Sequence, residues 1–352
     1  MATSGTVSTT VFNTRRVIDR AFGRCKVGPQ QITSERIEIA KDLLFLALAG
    51  LVNRGVLLWA IDKQIVPLYE GQAQVDLPVG TVDSLNASYR ELSRLTGTYA
   101  TSAGGTIANV NDDDFTTLLT QTAADGNVSA DFTTATQVTT VGVLPGTTAT
   151  WSLVFERSAD AVTWTTVLAV GSAAYVSGTW AWYDLDGALA ARYFRVRETG
   201  GGTLSLRELF LGNTPAETPL GRLNQDDYTA LPNKTFGGRP LQFWMNRLAD
   251  QPTVHLWPVT DAAHRYGQLV VWRQRYVQDV GTLAQQIEVP QRWYPYVVAR
   301  LAADLAGELP EVDDAKEVKL ISVAERAWSE AQNEERDASP MMLTPQINVY
   351  TR

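Results

Sequence analysis

Histidine and cysteine are nearly missing: the 352 residues hold two histidines, His255 and His264, and one cysteine, Cys25. One cysteine excludes an internal disulfide framework and any cysteine-based zinc cluster. Two histidines so placed exclude HExxH and paired-histidine metal motifs. A P-loop, a GxSxG elbow and a GxGxxG turn after a strand are also missing. The expectation is a chain without catalytic residues, metal or cofactor. The longest apolar run, Leu43 to Val52, stops at Asn53 and Arg54, about half the ~20 residues a membrane helix needs. The first ten residues lack the basic-then-apolar layout of a signal peptide. We therefore expect a soluble, cytosol-made protein with no membrane anchor. Net charge is −8, which argues against a generic nucleic-acid coat.

What is plentiful is aromatic and apolar: 10 Trp, 12 Tyr, 10 Phe and an apolar fraction of 45%. That excludes wholesale disorder and supplies two or three cores. Composition shifts twice along the chain. Residues 1–96 carry about +2 by side-chain count, residues 97–213 about −6 with no lysine, and residues 214–352 about −4. A shift in mid-chain suggests one domain inserted into another, with the ends near Thr96 and Asn213 close in space.

The first part predicts a helix over Thr14 to Arg24, apolar at Val17, Ile18, Ala21 and Phe22, ended by Gly28-Pro29. Ser34 is expected to cap a second helix, apolar at Ile37, Leu44, Leu48 and Leu51 and closed by Gly55. Two alternating runs, Gln64 to Tyr69 and Gln74 to Leu77, read as a hairpin around Glu70-Gly71. The middle part has short strands at Thr150 to Arg157, Trp164 to Val170, Ala191 to Arg197 and Thr203 to Leu211, the signature of a β-sandwich. The third part predicts strands over Leu241 to Asn246, Thr253 to Trp257 and Gln268 to Val277. Two helices follow in an antiparallel pair, from Tyr294 to Leu309 and from Asp313-Asp314 onward, separated by Pro310.

Several residues have a chemical and a plain reading. Cys25, after an arginine-rich helix, reads as an unreactive thiol or an activated one. The run Asp112-Asp113-Asp114, with Asp125-Gly126-Asn127, reads as a solvated loop or as oxygen ligands for calcium. Arg15, Arg16, Arg20 and Arg24 read as a solvated face, as contacts between subunits, or as phosphate contacts in a DNA channel. Trp180, Trp182 and Tyr183 read as sandwich core or as a platform for stacking on a sugar ring.

Two resemblances emerge. The segments Leu256-Trp-Pro258, Leu269-Val-Val-Trp-Arg-Gln-Arg-Tyr-Val-Gln-Asp-Val280, Val289-Pro-Gln-Arg-Trp-Tyr-Pro-Tyr296 and Leu301-Ala-Ala-Asp-Leu-Ala306 follow the helix pair in an order that resembles the head-to-tail adaptor (tail tubular or connector) proteins of short-tailed bacteriophages. The segments Phe155-Glu-Arg-Ser-Ala-Asp160 with Trp164, Ala191-Arg-Tyr-Phe-Arg-Val196 and Leu204-Ser-Leu-Arg-Glu-Leu-Phe-Leu211 resemble a discoidin-like (coagulation factor 5/8 type C, galactose-binding-like) jelly roll. Ala161 departs from the glycine usual there, and sugar binding does not carry over, because the family's ligand loops vary.

Together these imply an α+β multidomain chain, in which an all-β jelly-roll sandwich interrupts an α-helical adaptor core with short strands. The expected parts are the core over 1–96 and 214–338, the inserted sandwich over 97–213 and an extended C-terminal arm over 339–352. The resemblance implies a ring, twelve copies in the family, at the head–tail junction of a virion assembled in the host cytoplasm. The ring would bind the portal protein above and the nozzle protein below and pass double-stranded DNA during genome ejection. It assigns portal binding to the arm, at Met341, Met342, Leu343, Ile347, Val349 and Tyr350, and leaves a glycan or capsid contact to the sandwich. The alternative is a carbohydrate-binding tail or receptor-binding protein, in which the sandwich is the working end. A glycoside hydrolase would need two facing carboxylates, and nothing in the sequence places such a pair.

Overall fold

The computed structural model describes residues 12–55, 57–185 and 190–335. Its helices are α1 (Thr14–Arg24), α2 (Ser34–Leu51), α3 (Gln225–Ala230), α4 (Tyr294–Glu308) and α5 (Asp314–Glu334). Its strands are β1 (Ile61–Pro67), β2 (Gln74–Asp76), β3 (Thr81–Arg94), β4 (Thr98–Thr101), β5 (Leu119–Thr120), β6 (Asn127–Thr136), β7 (Thr140–Pro145) and β8 (Ala149–Ser158). They continue with β9 (Thr165–Tyr175), β10 (Ala181–Asp184), β11 (Ala191–Glu198), β12 (Ser205–Pro219), β13 (Gly221–Leu223), β14 (Gln242–Asn246), β15 (Thr253–Trp257) and β16 (Gln268–Arg275). Two compact units emerge. Of the described residues, one holds those up to Asp62, Val79–Asp83 and those from Arg273 on; the other holds those of Lys63–Pro78 and Ser84–Trp272. Both ends of 97–213 thus fall inside the second unit. Among the described residues, no helix is long and apolar enough to cross a membrane.

The first unit is helical. Asn13, extended, caps α1 by accepting from the Arg16 N–H, and Val17, Ile18, Ala21 and Phe22 are buried on one side. The helix ends before Gly28-Pro29, because Lys26 already turns the chain at a positive φ of 64°. The cap of α2 is Thr33 rather than Ser34: Thr33 is extended and its hydroxyl accepts from the Arg36 N–H at 3.3 Å. α2 buries Ala40, Leu44, Leu48 and Leu51, with Ile37 only half-buried. Pro295 opens α4, and Leu309 turns extended ahead of Pro310, as a residue before proline prefers. Asp314 and Glu317 sit in the first turn of α5, where the helix dipole favours negative charge. α1, α2 and α5 all pack on α4, whose faces are therefore buried nearly all round. Trp293, just ahead of α4, donates its indole N–H to Glu335 at 3.2 Å, which puts the end of α5 beside the start of α4. The core closes on Trp293, whose ring meets Trp59, Tyr296 and Trp328.

The second unit is all-β apart from α3 and short turns. A five-stranded sheet runs β4-β6-β11-β8-β9, and a seven-stranded sheet runs β1-β16-β3-β12-β7-β10, with β5 also on β12. Alternate residues of β6, β8 and β11 (Val128, Ala130, Trp151, Leu153, Phe155, Phe194, Val196) meet Val141, Val143, Leu209 and Leu211 from β7 and β12 in one core. This period of two is what a sandwich requires. Leu95 N–H donates to Leu211 O at 2.8 Å and Ser93 pairs with Asn213, so the chain enters and leaves the sandwich at one place.

The hairpin expected around Glu70-Gly71 does not form. β1 lies in the seven-stranded sheet next to β16, whereas β2 pairs with β15 in a four-stranded sheet, β13-β14-β15-β2. Alternation identified both strands but carries no information on which partner a strand chooses.

Candidate functional site

Burial of Val17, Ile18, Ala21 and Phe22 turns the α1 arginines outward. Arg15 is held by Asp19 at 3.0 Å, and the Arg16 guanidinium lies 5.6 Å over the Phe12 ring. Arg20 and Arg24, one turn apart and exposed, border a groove of about 710 Å³ lined also by Phe12, Tyr294, Pro295 and Val298. The Phe12 and Tyr294 rings meet edge to face at 4.9 Å. Neither Arg20 nor Arg24 is salt-bridged to a carboxylate among the described residues. The arm residues Met341, Met342, Leu343, Ile347, Val349 and Tyr350 lie outside the described residues.

Trp180, Trp182 and Tyr183 do not form a platform. Trp180 is buried, stacked on Trp182 at 4.7 Å and edged by Phe115 and Tyr266. Tyr183 is half-buried, with its hydroxyl 2.7 Å from that of Tyr175. Their ring faces are used on one another and on Phe155 and Phe210, so Trp180 has no face left for a sugar. Trp164, elsewhere in the sandwich, carries the Arg195 guanidinium 4.0 Å over its ring.

The other candidates are placed as plainly. Cys25 is buried and its thiol donates to Ala302 O at 3.3 Å; burial pushes its pKa up, against the pull of Lys316. His255 stacks on Trp244 and tilts against Tyr228, and burial lowers its pKa, which keeps it neutral near pH 7. His264 Nδ1 lies 2.6 Å from Asp261. Asp112 and Asp114 accept from Thr117 and Thr116, so their oxygens serve the loop's own turn.

Sequence reasoning missed the cluster around Arg94. Its guanidinium donates to Asp113 Oδ1 at 2.6 Å, Tyr266 Oη at 3.0 Å, Val110 O at 3.0 Å and Leu209 O at 2.8 Å, and also to Glu208. Glu208 is completely buried, because β12 is covered on both faces. Leu209 and Leu211 face the sandwich core, while Phe210 packs on Trp182 and Tyr266. Burial pushes the Glu208 carboxyl up to about 7 against the opposing pull of Arg94. The available signal was a lone carboxylate in the mostly apolar run Leu204 to Leu211. Among the described residues, no group of three or more His, Cys, Asp or Glu side chains is placed to hold a metal ion.

No family model matches the chain, and no curated protein matches it. Among solved structures it is similar to the family 32 carbohydrate-binding module of Clostridium perfringens NanJ in complex with galactose, at 14% identity and a TM-score of 0.30, over 35% of this chain and 99% of that one. It is similar to CpGH89CBM32-5 of the same organism, in complex with GalNAc-β-1,3-galactose, at 13% identity and a TM-score of 0.31, over 34% and 99%. A third is chitosan-binding module 1 of a chitosanase/glucanase from Paenibacillus sp. IK-5, at 21% identity and a TM-score of 0.29, over 34% and 96%. At these values the likeness carries no argument about function, and the sandwich stands on its own strand pairings.

Proposed function

We infer that this chain acts by binding and by repetition rather than by catalysis: its helical unit joins copies of the same chain, and its sandwich presents a surface to a partner. The observation that carries this reading is apolar surface left open on the helices. Phe45 and Leu46 of α2 are 49% and 62% exposed, and Val318 of α5 is 67% exposed. α2 already buries one side in its own unit, and a helix apolar on both sides needs cover on both. Light scattering on the full chain over a wide concentration range tests this. The expected result is an assembly of several copies, reduced to monomer in a Phe45→Glu/Leu46→Glu/Val318→Glu variant that keeps its helical circular dichroism. A wild-type chain that stays monomeric throughout overturns the reading.

Two finer versions share this frame. In one, the assembly is the head-to-tail adaptor ring of a phage virion, bound to portal and nozzle proteins around passing DNA; the order of segments in the first and third parts supports it. In the other, the chain is a carbohydrate-binding tail or receptor-binding protein. The modules named above supply probes for this second version: galactosides and chitosan oligosaccharides. Titration calorimetry of the full chain separates the two. Saturable binding of either sugar favours the second version. Binding of a portal ring, with no heat from any sugar, favours the first.

A further inference from the structure

Two surfaces of the helical unit complement one another, although the groove's lining includes no residue of α5. The first is the groove bordered by Arg20 and Arg24. Asp19 also lines the groove, but Arg15 holds it at 3.0 Å, so the groove asks for an occupant with a carboxylate for Arg20 and Arg24 and apolar side chains for Phe12, Tyr294, Pro295 and Val298. The second lies on α5. Asp314, Val318 and Ile321 are spaced i, i+4 and i+7, so they form one stripe on the helix. The stripe runs along the flank of the buried face, with Ile321 two turns ahead of the core-packed Trp328, and all three of its residues are exposed. It presents one carboxylate and then two branched apolar side chains. Asp314, like Arg20 and Arg24, forms no salt bridge among the described residues.

The geometry points to the groove as the seat for the α5 stripe of a second copy of this chain, with Asp314 meeting Arg20 and Arg24, and Val318 and Ile321 lying over the aromatic floor. Such a contact joins two different patches and therefore propagates from copy to copy, closing into a ring where the rotation allows. It rests on the self-association reading above and names the surfaces that carry it. Opposite charges fix the register, and the apolar pair supplies the area removed from water.

Charge reversal tests it on the full chain, with circular dichroism to confirm folding. Arg20→Glu/Arg24→Glu is expected to weaken assembly about tenfold or more, since like charges then face each other. Asp314→Arg is expected to do the same, and Arg20→Lys/Arg24→Lys to assemble nearly as wild type. One chain carrying both reversals is expected to regain assembly, because the groove and the stripe have exchanged signs. If the wild type assembles and the arginine reversal changes nothing, the groove is not the contact, while the self-association reading stands. If both single reversals disrupt assembly and the combined chain fails to regain it, the groove takes another occupant and the inference is overturned. A monomeric wild type overturns both.

Discussion

Replacing Arg94 with methionine is expected to destabilise the second unit by about 3–5 kcal/mol, because it takes the donor from three buried acceptors at once, the Glu208 carboxyl and the Val110 and Leu209 carbonyls. Arg94 reaches four other partners besides Glu208, two of them backbone carbonyls and one the Asp113 carboxylate. The substitution therefore also loosens the loop that runs through Asp113, which keeps its bonds from Tyr266 and Arg265. Urea unfolding followed by tryptophan fluorescence reads the loss directly; an unchanged midpoint would mean that solvent already reaches the pair. Glu208→Gln is expected to be far milder, since the amide still accepts from Arg94 and no charge is buried. The two variants also differ in pH dependence. With the folded carboxyl raised from 4.5 to about 7, the folded chain holds this proton more tightly than the unfolded one. Glu208 therefore stabilises most when protonated, and its contribution falls as pH rises from about 4.5 to about 7. Between pH 5 and pH 8 the wild type should lose about 2–3 kcal/mol relative to Glu208→Gln. A parallel pair of profiles would show that Arg94 keeps the carboxyl ionised throughout.

In the helical unit the largest loss is expected from Trp293→Ala, about 3–5 kcal/mol. Trp293 is fully buried, its ring touches three other aromatic rings, and its indole N–H satisfies Glu335. Glu335 also accepts from Arg292 at 3.1 Å and from the Trp59 backbone at 3.3 Å. Burial pushes this carboxyl up, yet Arg292 and the indole bring it below its ordinary value, so it is ionised at neutral pH. Trp293→Phe keeps most of the packing and gives up the hydrogen bond, for about 1.5–3 kcal/mol, the range of a bond to a charged group. Thermal melts read at 222 nm rank the two; equal losses would assign the stability to the hydrogen bond and not to the ring.

The parts of the fold that the sequence made legible are those fixed by local chemistry. The limits of α4 and α5 follow from Pro310 and Asp313-Asp314, each within one turn of the boundary it sets, and α1 spans the Thr14 to Arg24 that its apolar spacing predicts. The sandwich strands follow from alternation. Partner choice was not legible, which is why β2 was expected beside β1 and lies beside β15. Nor was the second layer on β12. A strand's own pattern shows one buried face; the cover on Glu208 and Phe210 comes from Tyr266, which lies more than fifty residues away in the chain. The same distant cover seals Trp180, in keeping with the core reading of that ring.

β12 has a mechanical consequence. Its first half is laced to β7 and its second half to β3, with the handover at Gly212 and a bulge just beyond. The sandwich is thus not hung on a slack tether. Tension on it along β12 meets two ladders loaded in shear, one at each end of the same fifteen-residue rod, so whatever seizes the sandwich also pulls on β3.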